Sequence, residues 1–239
     1  AYFLLRDEFV DFFVKNTGEN PQNRFFVRAD KRAIPLGCHF IDPKETDHLL
    51  KLLQGKPKTA THILLYGAAG TGKTSYARGL ARKLRVPTYA IVRDQENKTE
   101  TIRAAIHICL NMTGKGRGAI IIVDEADNVL NTRGAWLTRG ETQDKGWLNE
   151  LMEIPGARII WITNTIENME PSVLRRFSYS IHFRPFNRKQ RIRLWETILK
   201  QNKVQGCLSR DMVARLAGRY RVSAGAIDLA VKKAVEVTI

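Results

Sequence analysis

Gly67-Ala68-Ala69-Gly70-Thr71-Gly72-Lys73-Thr74 decides how this chain is read. The stretch meets G-x-x-x-x-G-K-[ST] at every fixed position. Before it, Ile63-Leu64-Leu65 has the apolar character of a buried strand, and after it Ser75 to Leu84 has helical spacing. Strand, Gly-rich loop and helix in that order make a phosphate cradle. The glycines let successive backbone N–H groups turn inward, and the helix adds its positive N-terminal end. Lys73 is expected to reach the β- and γ-phosphates of a nucleotide, and the Thr74 hydroxyl to ligate Mg²⁺. The residues expected to face the nucleotide are Gly67, Ala68, Ala69, Gly70, Thr71, Gly72, Lys73, Thr74 and Ser75. A chance Gly-rich turn, the competing reading, leaves the flanking strand and helix without a purpose.

Downstream, Ala119-Ile120-Ile121-Ile122-Val123 is an apolar strand that ends in Asp124-Glu125. Asp124 is expected to hold the metal, and Glu125 to polarise the attacking water as a general base. Standing alone, such a pair would be an acidic helix start. One candidate strand, Thr88 to Val92, lies in sequence between the two motifs, so the motif strands need not be neighbours. Ile160-Trp161-Ile162-Thr163-Asn164 is a third strand, ending in an amide suited to the γ-phosphate or the lytic water, although a strand-end Asn is by itself a turn residue. Val173-Leu174-Arg175-Arg176-Phe177 sets two arginines at a helix end. Arginine stabilises charge on a transferring phosphoryl group, often from a neighbouring subunit. Alternatively, the pair is solvated and favoured by the helix dipole.

Working outward, candidate strands occupy His62 to Tyr66, Thr88 to Val92, Ala119 to Val123, Arg158 to Thr163 and Tyr179 to Phe183, with helical patterns between them. That alternation predicts an α/β fold, a five-stranded parallel sheet sandwiched between helices. The character changes at Arg184-Pro185-Phe186-Asn187. Helices are then expected over Arg188 to Asn202, Arg210 to Gly218 and Ser223 to Val237, capped near Asn187, Ser209 and Ser223. Asp42-Pro43-Lys44-Glu45 reads as a further helix start. The organisation expected is an N-terminal helix (Tyr2 to Val14) and linker over 1–40, a nucleotide-binding domain over 41–186, and a helical subdomain over 187–239.

The chain has 239 residues, 26% charged and 44% hydrophobic. Those fractions exclude a disordered polyelectrolyte. Gly and Pro show no period, which excludes a fibrous repeat. Cys38, Cys109 and Cys207 form no C-x-x-C, and the five histidines show no metal-ligand spacing, so free thiols in a reducing, cytoplasmic setting are expected. No apolar run approaches a membrane span. The chain starts at Ala1 and stops within a helical pattern, which reads as an excerpt of a longer protein. The net charge is +15, and residues 187–239 hold twelve Lys/Arg against four Asp/Glu. A basic surface of this kind suits nucleic-acid phosphates, acidic partner domains or plain solubility.

Taken in order, these motifs resemble the AAA+ ATPases over about residues 41 to 239. Gly67 to Thr74 resembles Walker A, Ile120 to Glu125 Walker B, Thr163-Asn164 sensor 1, and Leu174-Arg175-Arg176-Phe177 the arginine-finger segment. The helical end resembles the AAA+ lid on a P-loop NTPase sandwich. The resemblance is greatest to the AAA branch, which includes protein-remodelling ATPases. It implies hydrolysis of ATP to ADP with Mg²⁺ in a ring, usually a hexamer, with Arg175 or Arg176 completing the next subunit's site. It also implies a protein or assembly as substrate; a DNA-associated motor and an ATP-switched assembly module are the alternatives. Two departures stand out. Ser223-Ala224-Gly225-Ala226-Ile227 lacks a sensor 2 arginine, as the AAA branch tends to, and Gly225 and Ala226 would let the helix backbone approach the nucleotide. The stretch after the second strand, Arg93-Asp94-Gln95-Glu96-Asn97-Lys98-Thr99-Glu100, lacks the aromatic of a substrate-gripping pore loop. Trp136, within the polar stretch Asn131 to Thr142, either contacts a substrate or folds back on the body.

Overall fold

The computed structural model describes residues 21–29, 34–54, 59–92, 99–113, 118–132 and 141–238. Among these, β1 (Phe26–Arg28), β2 (Thr61–Tyr66), β3 (Thr88–Ile91), β4 (Ile120–Val123), β5 (Arg158–Thr163) and β6 (Tyr179–His182) form one sheet in the order β1-β3-β4-β5-β2-β6. The five strands expected from the sequence are all present and run parallel. The sixth corrects the expectation of a mere helix and linker over 1–40. Phe26–Arg28 pairs antiparallel with β3, Phe26 opposite Ile91 and Arg28 opposite Tyr89. Phe26 is buried with its ring edge-on to Tyr89. The helix expected over Tyr2 to Val14, residues 93–98 of the pore-loop stretch and Trp136 lie outside the described residues.

Strand alternation builds two cores. Ile63, Leu65, Ile120, Ile122, Ile160 and Ile162 point to one face, where α1 (Pro43–Gln54) and α2 (Lys73–Leu84) bring Leu49, Leu53, Tyr76 and Leu80. Leu64, Ile121, Val123, Ile159 and Trp161 point to the other. There α3 (Thr99–Thr113), the one-turn α4 (Asp127–Leu130) and α5 (Glu141–Glu153) supply Ile102, Ile106, Leu130, Leu148 and Leu151. Both faces are covered, which is why these strands read as unbroken apolar runs. The motif strands β2 and β4 are not neighbours, as expected, but the strand between them is β5 and not β3. This topology sets the end of β5 between the phosphate loop and Asp124.

After the one-turn α6 (Pro171–Leu174), β6 leads into α7 (Arg188–Gln201), α8 (Arg210–Arg219) and α9 (Ala224–Thr238). These bury Leu194, Ile198, Val213, Ala217, Ile227 and Val231 in a third cluster of their own. The expected caps are present. Asn187 and Gln190 make a reciprocal capping box, both bonds 2.9 Å, and Ser209 accepts from Met212 N–H. Basic residues at the start of α7 oppose the helix dipole, and Arg191 accounts for itself by its contacts. Its Nε donates to the Ala217 carbonyl at 2.7 Å and its Nη1 to Phe186 O at 2.6 Å, pinning α7 to the end of α8.

Candidate functional site

The glycines of the phosphate loop are required by backbone shape. Gly67 has φ 135°, and a Cβ there would be driven into the Phe183 carbonyl oxygen. Gly70 has φ 77°, and its Cβ would meet Ser223 Cβ at 3.3 Å, so the loop lies directly against the start of the helical subdomain. Behind the loop, Thr71 Oγ1 donates to Ala68 O at 2.8 Å. His39 packs on Gly72 and edge-on to Tyr76.

The loop opens on a cleft of about 840 Å³ between the sheet body and the helical subdomain. Ala69, Gly70, Gly72, Lys73, Thr74 and Ser75 line it, while Gly67, Ala68 and Thr71 do not. Lys73 is buried. Its Nζ donates to Gly67 O (2.5 Å), Ala68 O (3.0 Å) and Asn164 Oδ1 (3.1 Å). Burial pushes its ammonium below the ordinary lysine value, while the charges of Asp124 and Asp127 act the other way. Thr74 Oγ1 donates to Asp124 Oδ2 at 2.7 Å, and Asp124 Oδ1 accepts from Glu125 N–H at 2.9 Å. Glu125 is exposed and sits at φ 49°, a strained conformation for a residue with a Cβ and a kind of strain that gathers at functional sites.

Asn164 is held by a residue that sequence reasoning missed. Asp127 Oδ1 accepts from Asn164 N–H and from Thr163 Oγ1, both at 2.9 Å. Asp127 therefore ties α4 to the end of β5 and fixes the Asn164 backbone, whose side chain meets Lys73. A third carboxylate, three residues after Asp124, was the available signal. Ile34 was missed as well. It lines the cleft from the segment before α1, and its N–H donates to Ser75 Oγ at 3.3 Å.

Other expected residues separate. Gly225 lines the cleft; Ala226 does not, and its N–H donates to Ser223 Oγ as part of the helix start. Arg175 and Arg176 lie outside their own chain's cleft, both exposed. Arg176 Nη1 donates to Glu153 Oε1 at 2.6 Å. Arg175 follows α6 and has no side-chain partner among the described residues.

The donor set fits a nucleotide with Mg²⁺. Lys73 rests on loop carbonyls where a phosphate would offer a better partner. Thr74 and Asp124 already meet as a hydroxyl–carboxylate pair, and Mg²⁺ commonly takes one or two such ligands with phosphates and water completing its shell. The same geometry is tuned by burial elsewhere. His39, behind the loop, and His62, whose Nδ1 accepts from Trp161 Nε1 at 3.0 Å, are both pushed by burial from 6.5 down to about 4. Between those values the unfolded chain binds more protons than the folded one. Stability is therefore full above about pH 6.5 and falls as pH drops toward 4, by up to about 1.4 kcal/mol per pH unit for each histidine. Urea midpoints at pH 7, 5.5 and 4.5 should decline, and His62→Gln should flatten the decline. A flat profile in the parent protein contradicts the assignment.

Residues 63–185 match the sequence model of the family described as ATPase family associated with various cellular activities (AAA). The chain belongs to that family. FtsH 1, an ATP-dependent zinc metalloprotease of Symbiobacterium thermophilum, is 27% identical over 165 residues, covering 64% of this chain and 28% of that protein. The mitochondrial inner membrane m-AAA protease component AFG3L2 of Mus musculus is 28% identical over 163 residues, covering 64% and 20%. A putative 26S proteasome regulatory subunit homolog of Methanothermobacter marburgensis is 27% identical over 165 residues, covering 65% and 44%. The chain thus spans less than half the length of these relatives. Among solved structures, a chain of the E. coli MS115-1 HORMA:CdnC:Trip13 complex shares the fold, with a TM-score of 0.55 and 19% identity over 76% of this chain and 74% of that one. Among the described residues no helix is long and apolar enough to cross a membrane.

Proposed function

We propose that the chain hydrolyses the β–γ bond of ATP at a site completed by a neighbouring copy of itself, and that it uses the cycle to remodel a protein or assembly. The observation that carries this is one cleft lined by Lys73, Thr74, Asp124, Glu125 and Asn164, in which Lys73 bonds Asn164, Thr74 bonds Asp124, and Asp127, outside the lining, holds the Asn164 backbone. Lys73 exchanges loop carbonyls for the β- and γ-phosphate oxygens. Thr74 and Asp124 hold Mg²⁺, which neutralises charge on the phosphates when bound. Glu125, exposed at the mouth, takes a proton from the attacking water. Asn164, fixed by Asp127, orients that water or the γ-phosphate.

We read 41–186 as the nucleotide-binding domain and 187–239 as its lid, since the latter has its own core and meets the phosphate loop at Gly70 and Ser223. Arg175 is the better arginine finger of the two, because Arg176 is engaged by Glu153 and neither reaches its own cleft. A ring, most simply a hexamer, is the assembly that supplies such an arginine from outside. A remodelling role is favoured by the relatives, whose names place them in proteases and the proteasome. The exposed basic surface of α7 and α8 keeps a DNA-associated motor as the second reading. Stimulation of turnover by added DNA, lost at high salt, selects it.

Lys73→Ala tests the site itself. The variant should bind ATP at least about 10-fold more weakly, the scale of losing one charge-assisted hydrogen-bonding partner. Equal affinities by calorimetry would remove the basis of the reading.

A further inference from the structure

The cleft has a wall that phosphate chemistry does not use. Asn202 at the end of α7 and Asp228 and Lys232 on α9 stand on it, and Arg78 and Arg82 line the cleft from α2. Asp228 is the unexpected member. A carboxylate bordering a site for a polyanion repels the ligand unless hydrogen-bond donors face it. In the proposed function Asp124, which accepts from the Thr74 hydroxyl, would hold the metal, and Glu125 would take the proton of the lytic water. Asp228 stands on the lid, away from both.

Its side chain is fixed in place. Asn202 Nδ2 donates to Oδ1 at 2.8 Å while also donating to the Ile198 carbonyl, and Lys232 Nζ donates to Oδ2 at 2.5 Å. Burial acts to raise the carboxyl's pKa, but these donors and the Lys232 charge bring it below the usual carboxylate range, so it is ionised at neutral pH. An ionised carboxylate has about four acceptor positions, and these contacts use two.

We propose that Asp228, oriented by Asn202, is a specificity-determining acceptor for the hydrogen-bond donors of the nucleoside half of the substrate: the ribose hydroxyls or the 6-amino group of adenine. This rests on reading the cleft as an ATP site. Ionised phosphates carry no donors, so the nucleoside is the only part of ATP that an acceptor on this wall can serve. Carboxylates accept from ribose hydroxyls in the same way in dinucleotide-binding folds. Lys232 acts as a positioning residue that keeps the carboxylate ionised and aimed.

The test uses the whole chain with Mg²⁺. Calorimetry measures ATP, 2′-deoxy-ATP, 3′-deoxy-ATP and purine riboside triphosphate, which lacks the 6-amino group, against the parent, Asp228→Asn and Asp228→Ala. The parent should bind at least one analogue about 10-fold more weakly than ATP, the scale of a hydrogen bond to a charged group. Both variants should lose about that factor for ATP and bind the disfavoured analogue as the parent does. Preference against the deoxy analogues assigns the sugar, and preference against purine riboside triphosphate assigns the base. Four equal affinities in the parent overturn the proposal without any variant having to fold. Equal weakening of all four ligands in the variants, matched by Arg78→Gln, also overturns it and makes Asp228 a latch between lid and α2. A parent that shows no ATP binding by calorimetry removes the ATP site itself, a different failure from either.

Discussion

Arg175→Ala is expected to lower ATP turnover by about 10³-fold or more, the scale of an arginine finger supplied from outside the site, with ATP affinity largely kept. The reason is positional. Arg175 is exposed, lacks a side-chain partner among the described residues and lies outside its own chain's cleft. Its removal subtracts nothing from the site that the same chain builds. Arg176→Ala is expected to cost less, because that guanidinium already spans to Glu153. An exposed ion pair of this kind contributes only about 0–1 kcal/mol to stability. Two further measurements separate a shared site from a local one. Turnover per chain should rise with protein concentration as subunits associate. Mixing Arg175→Ala with Glu125→Gln should restore some activity, since one class of mixed interface pairs an intact Glu125 with an intact Arg175. Constant turnover on dilution together with no recovery on mixing would leave the arginines as a solvated helix end.

Glu125→Gln is expected to retain ATP binding and lose about 10²- to 10⁴-fold in turnover, the range for removing a general base. Glutamine preserves length and shape at a residue whose backbone is held at φ 49°, so the loop geometry should survive while the proton acceptor goes. Asp124→Asn should behave differently. It removes the carboxylate that takes the Thr74 hydroxyl, so the Mg²⁺ dependence of binding should weaken along with turnover. Single-turnover phosphate release alongside calorimetry distinguishes the two. Near-parental release by Glu125→Gln would reassign the base.

The phosphate loop and the Asp124-Glu125 strand end were legible in the sequence because their chemistry is local. The glycines and the lysine lie within one turn and its flanks, and the paired carboxylates are adjacent at one strand end. Strand runs such as Arg158 to Thr163 were legible because burial on both sides makes them continuously apolar. β1 was not, because three residues with a single buried side chain carry no period. Asp127 was passed over for a different reason. Its role appears only once β5 lies beside β4 and brings Asn164 within reach, a fact of strand order. The same holds for the arginine pair, where Glu153 distinguishes Arg176 from Arg175, and for Asp228, whose partners Asn202 and Lys232 sit on two helices of the lid.

The antiparallel β1 has a mechanical consequence. Its ladder is closed at both ends by backbone hydrogen bonds, from Val92 N–H to Phe25 O and from Ala29 N–H to Thr88 O, each 2.9 Å. A pull on residues 1–20 along the strand axis loads these bonds together, in shear. A sideways pull opens them one at a time, starting at Phe25. Val92 is also the last described residue before the stretch that begins at Arg93. The segment entering β1 and the segment leaving β3 therefore meet at one backbone pair, Phe25 and Val92, so force applied to the first is delivered to the end of β3.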